Sequence, residues 1–295
     1  MLQAPFLKAG DKIAITCPAK SLIKPMDDAI KLLSSWGLDV ILGDTVHAKF
    51  HQFAGTDELR TQDFQRFIDD QDIKAIIAAR GGYGSVRIID QIDFSPLLTH
   101  PKWIVGFSDI TVFHMHLQKM GIQSIHAQMP ATIPNSTALG LESLRKALFG
   151  DTLQYEIPAH PLNIQGTCHG EVIGGNLSIL ISLLGSKSDI DYNGKILFIE
   201  DVGEHLYAID RMIRALDRAG KLSTLKGLLV GGFTDLKDND IPFGFSVEEI
   251  LLAVVSKYHY PVVFNFPAGH IQDNCALRLG GKVYINCSSS TKIQF

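Results

Sequence analysis

The chain has 295 residues, 46% of them hydrophobic and 20% charged, with a formal net charge of -4. That composition is ordinary for a globular protein with ample core, arranged as one large or two medium domains. No run of Lys or Arg stands out, which argues against nucleic acid or an anionic membrane as the main partner and for a small-molecule substrate.

The opening residues, Met1 to Lys12, lack the basic, apolar and small-residue sections of a signal peptide. No apolar stretch reaches the ~18–20 residues that span a bilayer. Four cysteines, Cys17, Cys168, Cys275 and Cys287, are scattered without a C-x-x-C pair. Paired-cysteine zinc is therefore not expected, the thiols are read as reduced, and the compartment is read as cytoplasmic.

Short apolar runs predict strands at Lys12–Thr16, Leu38–Leu42, Lys74–Ala78 and Trp103–Val105. Between them, Asp27–Leu33 and Glu58–Ile68 carry helical patterns. Continuous apolar strands alternating with amphipathic helices mean βαβ units and a parallel sheet, whose ligand crevice lies beyond the carboxyl ends of the strands. After Trp103–Val105 the run breaks at Gly106, and a helical pattern starts at Thr111 and continues through Val112, Phe113, Met115 and Leu117. From Gly150 to about Gly166 the chain reads as an extended connector in which Pro158 and Pro161 discourage helix. The expected organisation is an N-terminal α/β domain over 1–150, a linker over 151–166 and a C-terminal domain over 167–295. In the last, Gly170–Asn176 reads as strand and turn and Leu177–Leu184 as helix. Lys195–Ile199 and Leu228–Val230 read as strands around a long helix from about Leu206 to Ala219. Val247–Tyr258 reads as a helix leading into Pro261–Phe264, and the tail from Ala276 to Ile285 as a hairpin turning at Gly280-Gly281.

Four places leave the end of an apolar strand and carry chemistry-bearing side chains. Ser108 sits in Gly106-Phe107-Ser108-Asp109, a sharp strand-to-helix turn. Such a turn lifts a hydroxyl toward solvent and aims helix-start N–H groups at a developing oxyanion, although Ser108 or Asp109 as a plain helix cap is the commoner use. Arg80-Gly81-Gly82-Tyr83-Gly84-Ser85 lets backbone N–H groups approach a bound group closely. It lacks both the Lys-Ser/Thr of a phosphate loop and the G-x-G-x-x-G spacing, leaving an oxyanion hole, a carboxylate site or a tight turn. Glu200 closes the apolar run Lys195–Ile199 and suits the orientation of a histidine. Asp201, Glu204 and Asp210 make its neighbourhood acidic, yet no second ligand cluster supports a metal there. His270 follows Gly269 just past another buried strand and is distinguished from the other ten histidines only by that position. A Ser, a Glu and a His on one rim are what a triad hydrolase needs, and triads recur in any chain order.

With Gly10-Asp11-Lys12-Ile13-Ala14, Pro18-Ala19, Gly174-Gly175-Asn176-Leu177 and Leu197-Phe198-Ile199-Glu200-Asp201, these motifs resemble, in order and through nearly the whole chain, the LD-carboxypeptidase family of serine peptidases. That family also contains the microcin C immunity peptidases. The resemblance implies an N-terminal parallel-sheet domain like that of class I glutamine amidotransferases and a smaller, β-rich C-terminal α/β domain. It implies Ser108 as nucleophile, His270 as general base and acid, and Glu200 as the group orienting His270. The oxyanion hole would be the backbone N–H groups of Gly82 and Asp109, with no metal or cofactor. The activity implied is removal of the terminal D-alanine from the murein tetrapeptide L-Ala-D-Glu-meso-diaminopimelate-D-Ala in peptidoglycan recycling, and a homodimer is an assembly common in the family. For the substrate carboxylate the candidates are Arg80 and Arg211, and Glu204 is a candidate for the free amine. Two other readings are an immunity-type peptidase cutting an aminoacyl-nucleotide amide, and a non-catalytic module holding a nucleotide or flavin.

Overall fold

A computed structural model describes residues 1–295. The N-terminal half supplies β1 (Lys12–Thr16), β2 (Asp39–Leu42), β3 (Ile73–Ala78), β4 (Trp103–Gly106) and β5 (Ser124–His126). Its helices are α1 (Asp27–Ser35), α2 (Asp57–Asp69), α3 (Ser85–Ile88), α4 (Thr111–Lys119) and α5 (Ala138–Phe149). Ser108–Ile110 forms a single 3₁₀ turn between β4 and α4. The remainder supplies strands β6 (Gln154–Pro158), β7 (Gly166–Asn176), β8 (Ile196–Val202), β9 (Gly227–Thr234) and β10 (Val262–Val263). These are followed by β11 (Leu277–Leu279), β12 (Lys282–Cys287) and β13 (Ser290–Gln294). Between these lie α6 (Leu177–Ser182), α7 (Leu206–Arg218) and α8 (Val247–Val255).

The strands form two sheets, ordered β11-β5-β4-β3-β1-β2 and β10-β9-β8-β7-β12-β13-β6. The first is parallel from β5 to β2, as its unbroken apolar strands require, and takes β11 antiparallel at one edge. The second joins a parallel half, β10-β9-β8-β7, to an antiparallel half, β7-β12-β13-β6.

Two local readings are corrected. The tail is not a hairpin at Gly280-Gly281: Leu277–Leu279 pairs with β5 in the first sheet, while Lys282–Cys287 pairs with β7 and β13 in the second. The Gly-Gly step is a crossing between sheets, held by Gly280 N–H to Val172 O and Val172 N–H to Gly281 O. The stretch 151–166 is also more than a connector. Its Gln154–Pro158 segment is the edge strand against β13, and a proline is tolerated at a strand end on an edge.

The two halves share their core. On one side Phe64, Phe94 and Phe113, from the first half, join a single apolar cluster with Leu177, Leu180 and Ile213 from the second. On the other, Trp103, Val105 and Ile125 join Phe198, Phe266 and Leu279. Helix α4 is the joint between them. Thr111 Oγ1, at its first residue, accepts the Asn176 N–H at 3.0 Å, and a Cβ on Gly175 would lie 2.5 Å from that same oxygen. Gly175 also has φ +146°, a conformation that side chains disfavour. The Gly175→Ala variant is therefore expected to lose on the order of 1–3 kcal/mol of unfolding free energy in a denaturant titration as α4 is pushed back.

Candidate active site

Ser108 has φ +65°, one of four non-glycine residues with positive φ. Holding a side chain there costs on the order of 1–3 kcal/mol and persists where the surroundings over-determine it. They do: Phe107 and Ile110 are buried to either side, and Gly81 lies so close that its missing Cβ would sit 2.9 Å from Ser108 Cβ. The hydroxyl is thereby lifted off the end of the parallel sheet, at the entrance to α4.

His270 arrives from the loop after β10. Its Nε2 lies 3.0 Å from Ser108 Oγ, and its Nδ1 lies 2.6 Å from Glu200 Oε2. The same carboxylate oxygen accepts the His270 main-chain N–H at 3.2 Å, so ring and backbone are held together. Glu200 is fully buried within β8, while about one-fifth of the His270 side chain is exposed. Gly269 makes the approach possible, since a Cβ there would meet Glu200 Cβ at 2.7 Å. Burial works against a charged imidazole at His270. The hydrogen bond and charge of Glu200, with lesser help from Asp201 and Asp235, outweigh it and raise the His270 pKa above its ordinary value.

Below the imidazole the packing is aromatic, then polar. Phe107 meets the His270 ring edge-on at 5.0 Å and the buried His126 ring at 5.7 Å. Burial pushes His126 down to about 3, so it is neutral. Its Nε2 lies 3.1 Å from Asn274 Oδ1, which also accepts the Gly269 N–H at 2.8 Å and so steadies the residue before His270. Asp201, pushed up to about 6 by burial, takes Asn176 Nδ2 and the Ser178 N–H, both at 2.9 Å, and secures the start of α6 beside Glu200.

The structure thus brings Ser108, His270 and Glu200 into one hydrogen-bonded chain. Gly82 lines the same cavity as Ser108 and His270, a space of about 620 Å³. Its N–H and that of Asp109 donate to no backbone carbonyl of the protein, as donors reserved for a ligand would. Arg80 lines this cavity too, with Nη1 on Ser21 O at 3.0 Å and Nε on Gly81 O at 3.3 Å, both main-chain carbonyls that leave its charge unneutralised. A second cavity of about 720 Å³ shares His270, Phe107, Thr132 and Asn135 with the first and carries Asp235 and Asp273 on its wall. Arg211 and Glu204 line neither. Arg211 lies 5.3 Å over the Tyr207 ring on exposed helix surface, its neighbour Asp210 being bound by Arg214, and Glu204 is half-buried in the turn before α7. No three His, Cys, Asp or Glu side chains converge as metal ligands would.

Sequence reading missed the groups that brace the site from behind. Arg60, fully buried, donates from Nη1 to Pro18 O at 2.6 Å and to Gly84 O at 3.0 Å, tying the loops after β1 and β3 together. In sequence it looks like the partner of Asp57 on a helix surface, a bond it also makes through Nη2. The one signal for Asn274 was the polar Gln272-Asp273-Asn274 run after His270.

The chain resembles known proteins over nearly its whole length. Residues 13–127 match the LD-carboxypeptidase N-terminal domain and residues 169–285 the LD-carboxypeptidase C-terminal domain. A murein tetrapeptide carboxypeptidase of Pseudomonas aeruginosa is 29% identical over 283 residues, covering 91% of each chain. The crystal structure of muramoyltetrapeptide carboxypeptidase from Oxalobacter formigenes is 30% identical and superposes with a TM-score of 0.87 over 96% of this chain and 98% of that one. MccF in complex with glutamyl sulfamoyl guanosine superposes at 0.89 over 99% of this chain and 98% of its own with 20% identity, which is a likeness of fold.

The raised His270 pKa has a kinetic signature. With His270 as the general base, the acid limb of kcat/KM is expected to titrate above the ordinary histidine value of about 6.5, because an imidazole accepts a proton only when neutral. Glu200→Gln removes the charge that raises it, so that limb should move to lower pH while the maximal rate falls. A limb unmoved in a pH–rate profile of this variant would contradict the assignment.

Proposed function

Because the chain belongs to the LD-carboxypeptidase family, we propose that it is a serine L,D-carboxypeptidase releasing the terminal D-alanine of murein tetrapeptides such as L-Ala-D-Glu-meso-diaminopimelate-D-Ala. The observation that carries this reading is the chain Ser108 Oγ to His270 Nε2, at 3.0 Å, and His270 Nδ1 to Glu200 Oε2, at 2.6 Å.

The steps follow from that arrangement. Ser108 Oγ attacks the carbonyl carbon of the diaminopimelate–D-alanine amide as its proton passes to His270 Nε2. Glu200 holds the imidazole by Nδ1–H and stabilises the imidazolium that forms. Charge gathers on the carbonyl oxygen, where the N–H groups of Gly82 and Asp109 receive it. As the tetrahedral adduct collapses, His270 Nε2–H protonates the departing D-alanine amine and the tripeptide remains as an ester on Ser108. Water then repeats the sequence with His270 as base, freeing the tripeptide and restoring the serine. The sequence needs no metal.

A carboxypeptidase must grip a terminal carboxylate, and Arg80 is suited to that. It lines the cavity beside Ser108, and its guanidinium spends two donors on main-chain carbonyls while keeping its charge. The reading places the reaction in the cytoplasm on recycled wall peptides and takes a homodimer as the assembly. No helix is long and apolar enough to cross a membrane.

Release of D-alanine from the tetrapeptide, followed by mass spectrometry with EDTA present, is expected from the wild type and to fall by several orders of magnitude in Ser108→Ala. Near-normal turnover by that variant, or loss in EDTA with recovery on adding zinc, would overturn the proposal. Arg80→Gln should weaken kcat/KM for the free tetrapeptide by roughly 10–100-fold, as loss of a charge-assisted pair does, and should barely change it for the tetrapeptide amide. Equal losses on both substrates would remove Arg80 from carboxylate recognition.

A further inference from the structure

The oxyanion hole proposed above is built from two separate pieces of chain. The Gly82 N–H comes from the loop between β3 and α3, and the Asp109 N–H from the turn between β4 and α4. Loops of this kind drift relative to one another unless something fixes their spacing. A displacement of about 1 Å in a catalytic group costs on the order of 10²-fold in rate.

One side chain spans the gap. Asp109 is 1% exposed, and its Oδ2 accepts the main-chain N–H of Ser85 at 2.9 Å. Ser85 is the first residue of α3, three positions after Gly82, and is itself fully buried. The residue that would offer one oxyanion donor from its backbone therefore grips, through its carboxylate, the chain carrying the other. The remaining Asp109 oxygen, Oδ1, has no hydrogen-bond partner, and neither has the Ser85 hydroxyl. Burying a carboxylate is costly, and the hydrogen bonding that offsets the cost here is directed at Ser85, on the segment that carries Gly82. From the other side, Arg60 Nη1 holds Gly84 O at 3.0 Å, so the loop from Gly82 to Ser85 is pinned at both of its last two residues.

We propose that the Asp109 side chain is a positioning residue, a clasp that keeps the Gly82 and Asp109 N–H groups at the separation the tetrahedral oxyanion requires. This rests on the serine-nucleophile reading of the site. The clasp acts through hydrogen-bond acceptance, so an amide can replace the carboxylate. It acts on the transition state, so its loss appears in kcat and leaves substrate binding nearly intact.

The test measures D-alanine release from the murein tetrapeptide by wild type, Ser108→Ala, Asp109→Ala and Asp109→Asn, with thermal melting of each. Inactive Ser108→Ala establishes the underlying reading; an active one defeats that reading before the clasp is judged. Given the former, Asp109→Ala should lose on the order of 10²-fold in kcat with KM changed by less than about threefold, and Asp109→Asn should return kcat to within about fivefold of wild type. Wild-type kcat in Asp109→Ala, or an Asp109→Asn as impaired as the alanine variant, would overturn the clasp. Should Asp109→Ala fail to fold, Asp109→Ser reads the same bond, since its shorter polar side chain withdraws the acceptor from the Ser85 N–H. A kcat loss there with KM held supports the clasp, and an unaltered kcat overturns it.

Discussion

The site depends on a fully buried carboxylate with one partner that matters. Glu200 Oε2 takes both the ring and the main-chain N–H of His270, fixing the imidazole in place and in tautomer. A buried carboxylate left without compensation would be very costly, so the fold must bring His270 to it. Much of the second sheet serves that requirement. Glu200 is carried on β8, near the centre of that sheet, where it pairs with Asn176 of β7 and sits at an irregularity in the pairing with β9. Gly269 gives the approach its clearance, and Asn274 and His126 hold Gly269 from below.

Ser108, the proposed nucleophile, is set by an opposite device, strain in place of burial. Ser108 occupies a left-handed backbone position that its type disfavours, and the cost is borne by the packing of Phe107, Ile110 and Gly81 around it. The two devices belong to different halves of the chain, yet they meet within 3.0 Å. That precision comes from a core the halves share and from the hydrogen bond between Thr111 and Asn176, which seats α4 on the second sheet. The halves are two sequence regions but one mechanical body. The exchange of β11 into the first sheet, just before β12 enters the second, stitches them further.

This division explains what was legible in the sequence. Parallel strands buried on both faces announce themselves as unbroken apolar runs, so Lys12–Thr16 was read at its observed bounds and Trp103–Val105 one residue short. The strand Ser124–His126 is three residues long with polar ends, and nothing local distinguishes it. The Gly280-Gly281 step looks like a hairpin because turn chemistry is local, whereas its actual partner, Val172, lies far away in sequence. Ser108, Glu200 and His270 each stood out as polar groups at the ends of apolar strands. Their convergence across 162 and 70 residues is a property of topology that no local pattern carries. The bracing groups were hidden for a further reason. A buried Arg60 or Asp109 has the same letter as a surface one, and only the loops around it reveal what it holds.

The central claim is that catalysis passes through an ester on Ser108, and the ester itself can be sought. Wild-type protein mixed with the tetrapeptide, quenched in acid within a turnover and digested, should yield a Ser108-containing peptide heavier by the L-Ala-D-Glu-diaminopimelate acyl group, absent when the His270→Ala protein is treated alike. The acyl group on a different residue, or rapid turnover in which Ser108 stays unmodified and added hydroxylamine captures no tripeptide, would contradict the account.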